Sequence, residues 1–251
     1  MSVLKTVYKQ TFIYGLATVV PRMLSFLLVR LHTDKSVLQN VSDYGDVSIV
    51  FAYFVLFNVI LAYGMETAFF RFFNKESSKA NVLSTATISI LVSSLGFLAL
   101  GLLFKQQIAD ITHIHVNYIS LVVWILFLDA LVIIPFAALR AYWKPVKYTV
   151  IKLTNVVVNL GLNIFLLLYL KALFVGNSFW DSIYVDNFEV SYIFIANLIA
   201  SGVTLLILLP FYFKINFKVD TVLWKKMLNM PCQSWWLGWL SPLMKPLIGC
   251  C

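Results

Sequence analysis

Long stretches without a single charge constrain the fold of this 251-residue chain more than any other feature. No charged residue lies between Lys79 and Lys105 or between Glu189 and Lys214. About 20 mostly apolar residues suffice for a helix to cross the hydrocarbon core of a bilayer. Charged residues make up only 12% of the chain, against about 25% in a typical soluble domain. An ordinary soluble enzyme and a basic nucleic-acid-binding domain are therefore excluded, and the sequence predicts a polytopic membrane protein.

Six apolar segments are long enough to be membrane spans. Arg22 interrupts the first of them, and Asp129 lies near the middle of the fourth. The sequence therefore predicts an all-α bundle of six transmembrane helices. Their approximate bounds are 10–31, 45–69, 80–104, 116–139, 150–170 and 190–213.

The distribution of lysine and arginine predicts the orientation of this bundle. Six spans place thirteen of these residues on the side of the N-terminus and four on the other side. The thirteen are Lys5, Lys9, Arg71, Lys75, Lys79, Arg140, Lys144, Lys147, Lys152, Lys214, Lys218, Lys225 and Lys226, and the four are Arg30, Lys35, Lys105 and Lys171. Because short cytoplasmic loops are rich in Lys and Arg, the N-terminus is predicted to be cytoplasmic. The net charge of +8 is explained by topology and needs no nucleic acid partner.

Arg22 is the first candidate for a binding residue, because charges at bilayer depth usually face a bundle interior or a cavity. It follows Pro21, which can bend the first helix. One interpretation is a cation in a central cavity that receives an anionic headgroup. The alternative is an arginine that extends to the interface or pairs with Glu66 or Asp129.

Asn155, Asn159 and Asn163 recur every four residues in the fifth span, so they lie on one face of a helix. Three amides are not expected to face lipid, and we predict that this face points into the bundle. The amides could bond neighbouring helices or contact a sugar, and the sequence does not separate these two roles.

Glu66 and Asp129 are the acids predicted to lie within the membrane. Either could titrate as part of ion or proton coupling, since burial raises the pKa of a carboxyl group. The alternative is a structural ion pair with Arg22 or Arg71.

No chemistry of an enzyme is evident in the sequence. Asp110, His113 and His115 lie close together near the third connection, but three potential ligands in one short loop are weak grounds for a metal site. We find no nucleophile with a matching base, no phosphate-binding glycine loop and no paired-carboxylate motif. We therefore expect no catalytic residue, no metal and no cofactor.

Motifs in several of these segments resemble one family. The stretches "PRMLSF", "GMETAFFR" and "PFAALRA", with the sequence around them over about residues 5–228, are similar to bacterial polysaccharide flippases of the O-antigen and capsule type. These flippases belong to the multidrug/oligosaccharidyl-lipid/polysaccharide exporter superfamily. The resemblance implies a protein of the bacterial inner membrane that moves a polyprenyl-pyrophosphate-linked oligosaccharide to the outer leaflet for polysaccharide biosynthesis.

The same resemblance implies roles for individual residues. Arg22 and Arg140 become candidates for binding the pyrophosphate or admitting it, and Glu66 and Arg71 lie near an inner gate. The partners implied are the lipid-linked oligosaccharide, membrane lipid and the polysaccharide polymerisation machinery. In this family two six-helix lobes enclose a central cavity and rock to give alternating access.

Residues 230–251 differ in composition from the rest of the chain and contain all three of its cysteines. Reading their codons one base earlier permits a sequence similar to the seventh helix of the family. We therefore expect residues 1–229 to be the first lobe, residues 230–251 to be a frameshifted tail, and the truncated chain to be inactive. The alternatives are a genuine hydrophobic tail, a multidrug or peptidoglycan-precursor exporter of the same superfamily, and a membrane fragment that transports nothing.

Overall fold

The computed structural model describes residues 41–229, apart from 77, 113, 170–188, 214 and 216–218, and also residues 12, 15, 19, 20, 23 and 24. The described residues are almost all helical, and no strand occurs among them. This confirms the predicted all-α class. The helices are α1 (Val41–Ala62), α2 (Met65–Lys75), α3 (Lys79–Leu103), α4 (Lys105–Thr112), α5 (Val116–Ala141), α6 (Pro145–Ile164), α7 (Glu189–Tyr212) and α8 (221–229).

Five segments of the described chain are long and apolar enough to cross a membrane. They are Ser48–Lys75, Lys79–Leu103, Val116–Ala141, Pro145–Leu167 and Val190–Tyr212. They coincide with the second to sixth predicted spans, so the protein is a multi-pass membrane helix bundle. The first predicted span, including Arg22, lies almost wholly outside the described residues, as does the segment 230–251.

Two of the five spans differ in detail from the prediction. The second is broken between α1 and α2, where Tyr63 and Gly64 adopt positive φ angles of 30° and 70°. The fifth begins at Pro145 rather than near residue 150, because proline is favoured in the first turn of a helix and the lysine at 147 does not end the helix. A π-helical turn, Phe165–Tyr169, continues this span.

Helix α5 is the centre of the bundle. It contacts α1, α2, α3, α4, α6 and α7, and α7 in turn packs along α6. Of the 18 most apolar consecutive residues in each span, 44% are buried in α5 and in α7, compared with 17–28% in the other three spans. Polar side chains in these two helices are therefore the ones that most need hydrogen-bonding partners within the protein.

Helix α8 packs against α2 and α3 rather than continuing as a span. Asp220 caps it, since the backbone N–H groups of Val222 and Leu223 donate to its Oδ1 at 3.0 and 3.1 Å. Leu223 and Met227 are buried in a cluster with Phe69 and other apolar residues of α2, α3 and α5. Helix α8 therefore fixes the chain beyond α7 to the end of the bundle where α3 begins.

Nearly all the described positive charge lies at that same end, which we call the basic end. It comprises the end of α2, the start of α3, the end of α5, the first turns of α6, and α8, and it carries nine of the ten lysines and arginines in the described residues. The nine are Arg71, Lys75, Lys79, Arg140, Lys144, Lys147, Lys152, Lys225 and Lys226, whereas Lys105 lies at the opposite end. The inside-positive bias predicts that the basic end is cytoplasmic.

Candidate functional site

A carboxylate lies at mid-depth in the bundle. Asp129 is midway along the 26 residues of α5, and Ser201 of α7 donates a hydrogen bond to its Oδ1 at 2.7 Å. The side chain of Asn58 in α1 also hydrogen-bonds to Asp129. Three helices thus meet at one acid, and we call Asn58, Asp129 and Ser201 the Asp129 cluster. Both described partners of the carboxylate are neutral. An ion pair between Asp129 and Arg71, which the sequence left open, is not formed.

The three asparagines of α6 form a ladder against α7. Asn155 donates from Nδ2 to Thr204 Oγ1 at 2.9 Å, and Asn159 donates from Nδ2 to Asn197 Oδ1 at 3.2 Å. Asn163 is buried and donates to the carbonyl oxygen and Oδ1 of Asn159, at 2.9 and 2.8 Å. The prediction that this face points into the bundle is confirmed. The observed bonds fit the role of joining neighbouring helices, one of the two roles that the sequence left open.

Helix α7 joins the ladder to the Asp129 cluster. Asn197, Ser201 and Thr204 are spaced by four and three residues, which places them on one side of the helix. Asn197 and Thr204 accept hydrogen bonds from asparagines of α6, while Ser201 donates a hydrogen bond to Asp129 of α5. We call the ladder, these three residues and the Asp129 cluster together the polar seam. It joins α1, α5, α6 and α7.

A second polar site lies at the basic end, where Arg140 at the end of α5 forms an ion pair with Glu66 in the first turn of α2. The Arg140 guanidinium lies 5.3 Å from the ring centroid of Phe70 and 5.4 Å from that of Tyr148. About a third of each charged side chain is exposed, 32% for Arg140 and 37% for Glu66. The pair is therefore only partly covered by protein.

The partner of Glu66 differs from the prediction. The sequence offered Arg22 or Arg71, and the structure pairs Glu66 with Arg140. Five residues along a helix turn the side chain by roughly 140°, so Glu66 and Arg71 lie on different sides of α2. Arg71 is exposed. Arg22 lies outside the described residues, so its predicted place in a cavity stays a prediction.

The ion pair lies just beyond the break between α1 and α2. Gly64 has a φ of 70°, which glycine adopts at no steric cost, and Tyr63 before it also lies in the left-handed region. The Tyr63 hydroxyl is 2.8 Å from Ser89 Oγ of α3, and Trp224 of α8 donates from Nε1 to the same oxygen at 2.8 Å. The break is thus held by two helices, and α2 is positioned separately from α1.

The other candidate groups add no site. The described residues include Asp110 and His115 but not His113, and among them no three His, Cys, Asp or Glu side chains come together as a metal site would require. An apolar cavity of about 310 Å³ lies between α1, α3, α4 and α5, lined in part by Tyr53, Phe97 and Tyr118. Nothing in its lining carries a charge.

Four residues of the seam were not singled out from the sequence, namely Asn58, Asn197, Ser201 and Thr204. A signal for three of them exists, since the 4-3 spacing of Asn197, Ser201 and Thr204 is the spacing of one helix face. Asn58 is a single amide in α1, and only the fold brings it to Asp129.

No family model, curated protein or solved structure matches this chain.

Proposed function

We propose that this membrane protein is a transport bundle, namely one lobe of a flippase for polyprenyl-pyrophosphate-linked oligosaccharides. The observation that carries the proposal is the Asp129 cluster, a carboxylate midway along a membrane span with neutral partners on α1 and α7. A charge at the bilayer centre costs about 2.5–3.5 kcal/mol on insertion scales, and such residues commonly mark a transport pathway. The sequence motifs described above supply the substrate class.

Asp129 would couple the movement of helices to the binding of a cation or proton. Its partners come from two different helices, so a change in its charge alters the bonds of α5 to α1 and α7 at the same time. A bound proton removes the negative charge and turns one carboxylate oxygen into an O–H donor, while the carboxyl group keeps a weaker capacity to accept, so the hydrogen bonds from Ser201 and Asn58 are weakened. The seam residues on α7 would pass this change to α6.

The Glu66–Arg140 pair would serve as the gate at the basic end. Arg140 offers a planar donor fork that matches a phosphate as well as a carboxylate. An incoming pyrophosphate competes with Glu66 for this fork, and release of Glu66 removes the described ion pair between α2 and α5. The break at Gly64 would let α2 move without α1. The asparagine ladder is assigned a structural role here, since each of its three amides donates a hydrogen bond to a group within the bundle.

Export of surface polysaccharide tests the proposal. The host is a flippase-deficient strain carrying the gene with one base inserted near codon 229, because alternating access requires a second bundle. We expect Asp129→Asn to abolish export at unchanged membrane abundance. The matched control is Asp110→Asn, which changes an exposed acid of α4 and should export normally. Normal export by Asp129→Asn would contradict the proposed mechanism, and absence of export by the parent protein would favour a membrane fragment that transports nothing.

A further inference from the structure

The turn between α5 and α6 presents an exposed tryptophan on an unusual backbone. Trp143 has a φ of 55°, a conformation that glycine and asparagine adopt far more readily than a bulky residue. Its side chain is 72% exposed. Packing inside the protein therefore does not explain why a tryptophan occupies this position, and an outlier of this kind points to a function outside the fold.

The surroundings of Trp143 place it at the edge of the lipid-facing surface. Val146, Val150 and Val157 follow it on α6 at spacings of three, four and seven residues, and all three are exposed. These spacings put them on one outward face of the helix. Trp143 lies where that apolar face ends at the basic end of the bundle, which is the headgroup level at which tryptophan is enriched in membrane proteins.

Two lysines flank a pair of aromatic rings beside Trp143. Lys79 Nζ lies 5.2 Å from the ring centroid of Phe73, Phe73 packs edge-on against Tyr142 at 5.1 Å, and Lys144 Nζ lies 5.8 Å from the Tyr142 ring. Both lysines are exposed. Among the described residues neither forms an ion pair with an acid. Two ammonium groups thus lie over the same pair of packed rings, and within the described part of the chain neither has a carboxylate partner.

We propose that Lys79, Lys144 and Trp143 form a binding site for the headgroup of an anionic phospholipid. Lys79 and Lys144 offer ammonium groups to the phosphate, Trp143 lies at the level of the ester carbonyls, and an acyl chain runs along Val146 and Val150. The charge of the site excludes a cationic ligand. Its continuity with an exposed apolar helix face favours a lipid over a soluble acidic peptide, because a lipid presents a charge and a hydrocarbon chain together.

The test is native mass spectrometry of the full chain in detergent, titrated with phosphatidylglycerol or with phosphatidylcholine. The protein should bind phosphatidylglycerol more tightly. Each lysine near an anionic surface contributes about 1 kcal/mol, or about five-fold, so Lys79→Gln/Lys144→Gln should lower the affinity for phosphatidylglycerol about 30-fold. The matched control is Lys225→Gln/Lys226→Gln, which removes two exposed lysines of α8 at the same end and should leave the affinity unchanged.

A third variant separates binding from folding. Trp143→Gly suits the left-handed backbone, so it should fold at least as well as the parent protein and yet bind phosphatidylglycerol more weakly. Inorganic phosphate should not displace the lipid, since it lacks the acyl chain. Equal losses in the two double variants, unchanged binding by Trp143→Gly, or equal affinity of the parent protein for both lipids would each overturn the proposal.

Discussion

The polar seam and the Glu66–Arg140 pair provide hydrogen-bonding partners for polar side chains in opposite ways. In the seam, neutral amides and hydroxyls bond to one another across α6 and α7 at mid-depth, and the single acid receives neutral donors. At the basic end, opposite charges pair directly, and about a third of each side chain is exposed.

The difference follows from the distance to water. A charged group at mid-depth lies far from both membrane surfaces, whereas a group near the end of a span retains part of its hydration. Neutral hydrogen bonds between membrane helices are modest, about 0.6 kcal/mol on average. The seam therefore holds helices together by several weak hydrogen bonds, whereas the ion pair adds one polar contact to the apolar packing of α2 against α5.

A charge placed in the ladder should produce the largest loss of stability. Asn163 is buried, so Asn163→Asp at pH 8 should lower the free energy of unfolding by up to about 3 kcal/mol, the cost of a charge at the centre of a span. Unfolding by increasing fractions of dodecyl sulfate in mixed micelles, followed by circular dichroism, measures this. Asn163→Leu is the control without a charge, and an equal loss in both variants would show that the mid-depth environment tolerates a charge.

The break between α1 and α2 gives the next effect. Gly64→Ala forces a side chain into the left-handed region, which costs about 1–2 kcal/mol. Gly96 is the matched control, because a Cβ added there meets nothing within 4 Å and the residue lies inside α3. The same unfolding assay should show Gly64→Ala to be destabilising and Gly96→Ala to be stabilising, and the opposite order would remove the reason for treating α2 as a separate unit.

The positions of the membrane spans were predictable from the sequence because hydrophobicity determines them. The side-chain contacts between helices were not predictable in this way. Charge-free runs place α3 and α7 within two residues of their observed ends. The four-residue spacing of Asn155, Asn159 and Asn163 gives the direction of their face. The partner of Glu66 depends instead on how α2 turns after Gly64 and where α5 ends, because Arg140 lies 74 residues away in the chain. The break at Gly64 is itself invisible to hydrophobicity, since α1 and α2 together read as one apolar span.

The ion pair should show a smaller coupling that depends on salt. A double-mutant cycle with Glu66→Gln and Arg140→Gln should give a coupling of at most about 1 kcal/mol, since a pair this exposed is screened by solvent. The coupling should be smaller at 0.5 M NaCl than at 0.05 M NaCl, because the Debye length shortens from about 14 Å to about 4 Å. A coupling that is larger and independent of salt would mean that the pair is sealed from water and is not a gate.

The seam should show the smallest coupling, without dependence on salt. The cycle of Asn155→Leu with Thr204→Val removes the 2.9 Å hydrogen bond between α6 and α7, and we expect a coupling of about 0.6 kcal/mol. A salt-sensitive value in this cycle would contradict the contrast between the two regions.

Access of water to the Asp129 cluster tests the central claim most directly. Cys232, Cys250 and Cys251 are first replaced by serine, and a single cysteine is then introduced by Asn58→Cys, beside Asp129. The control is Ser94→Cys, at a position of α3 that is 1% exposed. A water-soluble, membrane-impermeant thiol reagent is added from the basic end of the protein in inverted vesicles. The transport account predicts that the Asn58→Cys variant is modified and the Ser94→Cys variant is not, whereas equal protection of both would show that the seam is closed to water and holds the bundle together without forming a pathway.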